Sequence, residues 1–163
     1  MARTKVDTKE LRRLLKESNV RVNQKIARAT GELAIALMKD RIAKGLSPIQ
    51  GKNRFPGYKD TKKYPGRVKE DFPDKRNRPV NLRLSGRFLK QLRVISATSL
   101  GKVIIGFSDD YGKTLEKGHR EGASGQRERP IIPEPSEELA KSIQLAILRI
   151  YEQAVRKFLK SRS

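Results

Sequence analysis

Strand-like sequence is confined to one stretch of this chain. Leu82, Leu84, Phe88, Leu89, Leu92, Val94 and Ile95 supply apolar weight, and Val103, Ile104, Ile105 and Phe107 form a second apolar run beyond the turn Ser99-Leu100-Gly101. That order reads as a short helix followed by two paired strands. A sheet of about two strands leaves its edges unpaired and cannot close a core by itself, so helices must cover it. The class that follows is α+β, with a small antiparallel sheet between two long helices.

The helical material lies on either side. Leu11, Leu15, Val22, Ile26, Ala29, Leu33 and Leu37 fall mostly at spacings of three or four, giving one apolar stripe among Lys and Arg. Asp7 or Thr8 can cap this helix and Glu10 favours the positive end of its dipole. Gly45 after Lys44 supplies a left-handed C-terminal cap, and Ser47-Pro48 prevents continuation. Such a helix would be about 50 Å long at its rise per residue, more than a domain of this size covers alone, and Ser18-Asn19 offers a break. At the other end Leu139, Ile143, Ala146, Ile147, Ile150, Ala154 and Phe158, with Tyr151 beside them, form the cleanest helical signal. Ser136 is placed to cap that helix, with Glu137 and Glu138 in its first turn. It is expected to pack along the first helix and across one face of the sheet.

Between the first helix and the strands, Gly45 to Val80 has no period and holds four glycines and five prolines. The reading is one domain, 1–163, with 45–80 as an extended loop insertion that is mobile until a partner orders it. Four of the nine Phe and Tyr residues fall there: Phe55, Tyr58, Tyr64 and Phe72. Interleaved with Lys59, Lys62, Lys63, Arg67 and Lys69, they suit stacking on bases or packing on a protein neighbour. Phe55, Tyr58, Lys59, Lys62, Lys63, Tyr64, Arg67 and Lys69 are therefore the candidate inter-subunit or DNA-facing residues.

The net charge is +20, from 38 Lys and Arg against 18 Asp and Glu. An excess of this size points to a polyanion or an acidic protein surface. It is spread over the first three quarters of the chain rather than held in one tail, and no helix-turn-helix, zinc finger or aromatic RNA-recognition submotif accompanies it. No cysteine is present, so disulfide frameworks and thiolate metal sites are excluded. No stretch has the apolar length of a membrane span and the first residues lack a signal-peptide run, so a soluble, intracellular chain is expected.

Catalysis finds little footing. His119 is the one histidine, and it reads as an exposed polar residue of a Gly-His-Arg-Glu-Gly loop. Asp109-Asp110 before Tyr-Gly reads as a turn or helix cap rather than half of a carboxylate metal site. Ser85 lacks the flanking glycines of a nucleophile elbow and is better placed to cap the short helix beginning there. Neither a Walker A loop nor a dinucleotide fingerprint occurs. No catalytic residue, metal or cofactor is expected.

The segments Leu-Arg-Leu-Ser-Gly-Arg-Phe-Leu-Lys-Gln-Leu from Leu82, Val-Ile-Ile-Gly-Phe, Asp-Asp-Tyr-Gly-Lys-Thr-Leu-Glu-Lys-Gly-His and Arg-Pro-Ile-Ile-Pro together resemble tail-completion and head–tail joining proteins of tailed bacteriophages. The resemblance covers about half the chain. It rests on Leu84, Ser85, Gly86, Arg87, Tyr111, Glu116, Gly118, Arg129 and Pro130, with Gly112 where that family usually has Ala and Ile131-Ile132 in place of an aromatic-aliphatic pair. It implies a virion structural protein of the tail or neck, present in the host cytoplasm during assembly, that self-associates as a ring, hexameric in the family, around the DNA channel. Other neck or tail proteins and non-specific DNA contact would be its partners. The alternative from the residues alone is a basic, sequence-independent nucleic-acid-binding protein.

Overall fold

Helix α1 (Gln24–Ala43) runs across one face of a two-stranded antiparallel sheet made by β1 (Leu92–Ala97) and β2 (Val103–Phe107). The computed structural model describes residues 24–57, 76, 79–82, 86–98, 102–122 and 127–160. The short helix α2 (Arg87–Lys90) precedes β1, α3 (Asp110–Glu121) follows β2, and α4 (Lys141–Lys160) lies along α1. The fold is α+β, as the periodicities require.

The face of α1 that is buried differs from the stripe expected. Ala27, Thr30, Gly31, Ala34, Ile35, Met38 and Ile42 are buried, whereas Ala29 is exposed and Ile26, Leu33 and Leu37 are half-buried. The small residues win because the sheet comes close: a methyl group on Gly31 would stand 2.6 Å from Val103 Cγ1 and 2.7 Å from Val94 Cγ2. A bulky stripe would hold the helix away and lose contact along its length. The expected cap at Asp7 or Thr8, the break at Ser18-Asn19 and the stripe positions Leu11, Leu15 and Val22 lie outside the described residues.

The end of α1 follows the sequence signal. Gly45 takes φ 72°, its amide donates to the Ile42 carbonyl, and that of Leu46 donates to the Arg41 carbonyl, both at 2.9 Å. This paired arrangement satisfies the last carbonyls of the helix. What comes next corrects the expectation of a loose insertion, at least for its first third. The amide of Ser47 donates to the Asn53 carbonyl and that of Phe55 to the Gly45 carbonyl, each at 2.8 Å, and Ser47, Pro48, Ile49 and Phe55 are buried. Phe55 is 5% exposed and belongs to the core. Tyr58, Lys59, Lys62, Lys63, Tyr64, Arg67, Lys69 and Phe72 lie outside the described residues.

Two helix starts also depart from expectation. Gly86, with φ 78°, holds the N-cap position of α2 and no side chain caps it; Ser85, expected there, is outside the described residues. Helix α4 begins at Lys141 rather than after Ser136. Leu139 instead forms an antiparallel bridge with Ile49, and the amides of Gln50 and Ala140 donate to the Glu138 and Pro48 carbonyls. Those tertiary bonds hold residues 138–140 extended, and local cap chemistry gives way to them.

The register Leu92↔Phe107, Val94↔Ile105 and Ala97↔Val103 places these side chains on the α1 side. Ile143 of α4 joins Leu92, Phe107, Met38, Ile42 and Ile131 in one core. Ile95 alternates to the opposite face, where its Cγ1 lies over Gly106, and the bulge between Val94 and Ser96 returns Ala97 to the side of its partner Val103.

Candidate functional site

Arg87, Tyr111, Glu116, Arg129 and Pro130 each form a link between segments. Asp109 caps α3, its Oδ1 accepting from the Gly112 amide at 2.8 Å. Its other oxygen lies 3.7 Å from Arg87 of α2, and the Arg87 guanidinium stands 4.4 Å over the Tyr111 ring. A flat cation on an aromatic face is a favourable, geometry-dependent contact. Arg87 and Tyr111, twenty-four positions apart in the sequence, thus tie α2 to the first turn of α3.

Glu116 sits one turn further along α3 and is 8% exposed. Its Oε1 accepts from the amides of Ile131 and Ile132 at 3.1 and 3.0 Å, so the helix holds the extended Arg-Pro-Ile-Ile-Pro segment by its backbone. Burial raises the Glu116 pKa, while the two amides and Arg120 act in the opposite direction. Arg120 extends the link: it pairs with Glu116 at 3.6 Å, Glu134 at 3.3 Å and Glu137 at 3.1 Å, and also donates to the Ile132 carbonyl. Glu137 in turn meets Lys52 Nζ at 2.9 Å. Its pKa falls to about 2 because the Glu134 amide, Lys52 and Arg120 all favour the carboxylate.

Arg129 is the most deeply buried of the motif cations, at 1% exposure. Its Nε and one terminal nitrogen donate to the Pro56 and Gly57 carbonyls at 2.9 and 3.0 Å, and its amide donates to the His119 carbonyl at 2.7 Å. The carbonyl of Pro130 accepts from Ser47 Oγ. Gly118 offers only its carbonyl, to the capping amide of Gly122. Leu84 and Ser85 fall outside the described residues.

Two expected surface residues are corrected. Phe55 is not presented to a neighbour or to DNA, because its ring is buried in the same core as Val80 and Phe88. His119 is not a loop residue: it lies within α3 and is half-buried, its ring 5.4 Å from that of Phe88. Both were hidden for one reason, since each sits in polar, glycine-rich sequence whose burial comes from distant segments.

The surface left open is apolar. Ile95 and Ile104 are 51% and 45% exposed on the sheet face opposite α1. Ile95 borders a groove of about 750 Å³ that continues past Gly106 to Ile132, Pro133 and Pro135, with Lys113, Glu116, Lys117, Arg120 and Glu134 also in its lining. The run Val103-Ile104-Ile105 conceals this face in the sequence, because only the strand register tells which of three similar residues points away from the core.

Among the described residues, no three His, Cys, Asp or Glu side chains converge as metal ligands, and no helix is long and apolar enough to cross a membrane. No family model, curated protein or solved structure matches this chain.

Proposed function

We propose that the protein is a structural component of a phage virion, completing the tail or the head–tail junction by associating with copies of itself around the DNA channel. The observation that carries this reading is the open sheet face. Two branched aliphatic residues, Ile95 and Ile104, stand exposed on a two-stranded sheet whose other face is packed under α1. Apolar surface gathered on one face of a strongly charged chain fits a protein interface. Head-to-tail contacts that close by rotation generate rings, and a face distinct from the patch it meets is what such contacts need. The motif residues support the same reading in a second way. Arg87, Tyr111, Glu116 and Arg129 hold segments to one another, which suits a protein whose action is geometric.

The charge of +20 opposes self-association at low salt. Light scattering and electron microscopy over a salt series test the reading directly. Rings are expected as salt rises or as an acidic partner is added. A protein that stays monomeric at high concentration and moderate salt, alone and with neck or tail proteins, would count decisively against it. Nanomolar binding to one DNA sequence at physiological salt would instead favour a nucleic-acid-binding protein, because counterion release alone gives weak, sequence-independent affinity there.

A further inference from the structure

Among the described residues, three cations gather around a second cavity. Lys39 of α1, Lys90 of α2 and Arg76 line a cavity of about 320 Å³, together with Ala43, Asn81 and Leu89. No carboxylate is part of that described lining. Asp40, next to Lys39 in the sequence, is engaged by Lys44 at 2.7 Å. Arg76 is set in place through its backbone, its amide donating to Asn81 Oδ1 at 3.2 Å. Lys39 is partly withdrawn from solvent, and that burial, with repulsion from Arg93, lowers its pKa from the ordinary 10.5. A negative charge arriving beside Lys39 would favour its charged form against both effects.

We propose that this cavity receives a glutamate or aspartate side chain from an acidic segment of a partner protein, with Ala43 and Leu89 accommodating an apolar residue beside it. The shape of the site separates this occupant from nucleic acid. A duplex presents its phosphates on a broad convex surface, whereas Lys39 stands at the wall of a recess that a single side chain can enter. Single strands are normally held by aromatic stacking, and no aromatic ring lines the cavity among the described residues. Cations around an apolar floor match an acidic peptide with interspersed leucines, since charge complementarity supplies orientation and apolar contact supplies affinity. The proposal stands apart from the ring reading, because a monomer could bind such a segment equally well.

The test uses the full chain and a short fluorescein-labelled peptide of alternating glutamate and leucine, followed by anisotropy at physiological salt. The double variant Lys39→Gln/Lys90→Gln should weaken binding by about tenfold or more. Lys102→Gln/Lys157→Gln removes the same charge from exposed positions away from the cavity and should leave affinity within about twofold. Lys90→Gln alone, an exposed substitution that the fold tolerates, should show an intermediate loss. Equal losses in the two double variants would overturn the proposal, since binding would then follow net charge. So would failure of the peptide to bind the wild-type chain, or a duplex DNA whose affinity at that salt depends on Lys39 and Lys90 while the peptide's does not.

Discussion

The ring of Phe107 lies directly against Gly112: a methyl group at that glycine would stand 2.5 Å from Cδ1 and 2.8 Å from Cγ. Phe107 cannot retreat, because it stacks on Phe88 at 4.9 Å between centroids and is itself 5% exposed. The contact leaves no room for a side chain at position 112 unless the ring moves. Gly112→Ala gains about 1 kcal/mol of helix propensity but incurs about 1–3 kcal/mol of overpacking. A net loss is expected in urea unfolding, and Phe107→Leu in the same chain should reduce it. A Gly112→Ala protein more stable than wild type would show that the contact is not binding on the fold.

The carboxylates of the α3 network should respond to pH with opposite signs. Glu137 has its pKa lowered to about 2, so its contribution is complete above the ordinary value of 4.5 and is lost as pH falls from there toward 2. Glu116 has its pKa raised by burial, so its contribution is complete below 4.5 and is lost as pH rises through the raised value. Urea midpoints measured across pH should show Glu137→Gln flattening the acid limb and Glu116→Gln reducing the loss above 4.5. An acid limb identical in wild type and Glu137→Gln would refute the assignment.

What the sequence discloses here depends on whether the deciding force is local. The C-cap at Gly45 and the N-cap at Asp109 are each made by residues within five positions, and both were legible. The two strands were legible from apolar weight alone. Ser136 misled because its capping chemistry was outweighed by the bridge from Ile49 to Leu139, ninety positions apart. The buried face of α1 misled because close approach favours Gly31 and Ala34 over larger neighbours, and hydrophobicity does not register that preference. Of the candidate site, Glu116 and Arg129 were named by resemblance, yet their partners are backbone atoms of distant segments, which no side-chain pattern encodes.

Arg129 carries a prediction of its own. Its side chain bridges two successive carbonyls, Pro56 and Gly57, through separate nitrogens. A lysine has one compact ammonium and cannot reproduce that fork. Arg129→Lys should therefore destabilise the protein by about 1–3 kcal/mol, the range for charged hydrogen bonds lost in a buried place. It should also release the 55–57 segment, seen as faster tryptic cleavage after Arg54 at a denaturant concentration where the whole protein remains folded. Unchanged cleavage and stability would mean that the two hydrogen bonds contribute nothing to holding this segment.

Adjacent strand positions offer the sharpest test of the open face, because Val103 and Ile104 have similar side chains and opposite surroundings. Val103 is half-buried under α1, in the position where Gly31 leaves room for it. Ile104 is 45% exposed on the other side. Val103→Gln should cost about 1–3 kcal/mol, through lost burial and a polar group without a partner, and should weaken assembly only by unfolding the subunit. Ile104→Gln should change subunit stability by no more than about 0.5 kcal/mol, as exposed substitutions do. If Ile104 and Ile95 lie at the centre of a contact between copies, the same substitution should weaken self-association by about tenfold, since well-packed residues near the centre carry most of an interface's energy. Urea unfolding and sedimentation over a concentration series read the two quantities separately. Association unaffected by Ile104→Gln and Ile95→Gln together would place the interface elsewhere and remove the observation on which the assembly reading rests.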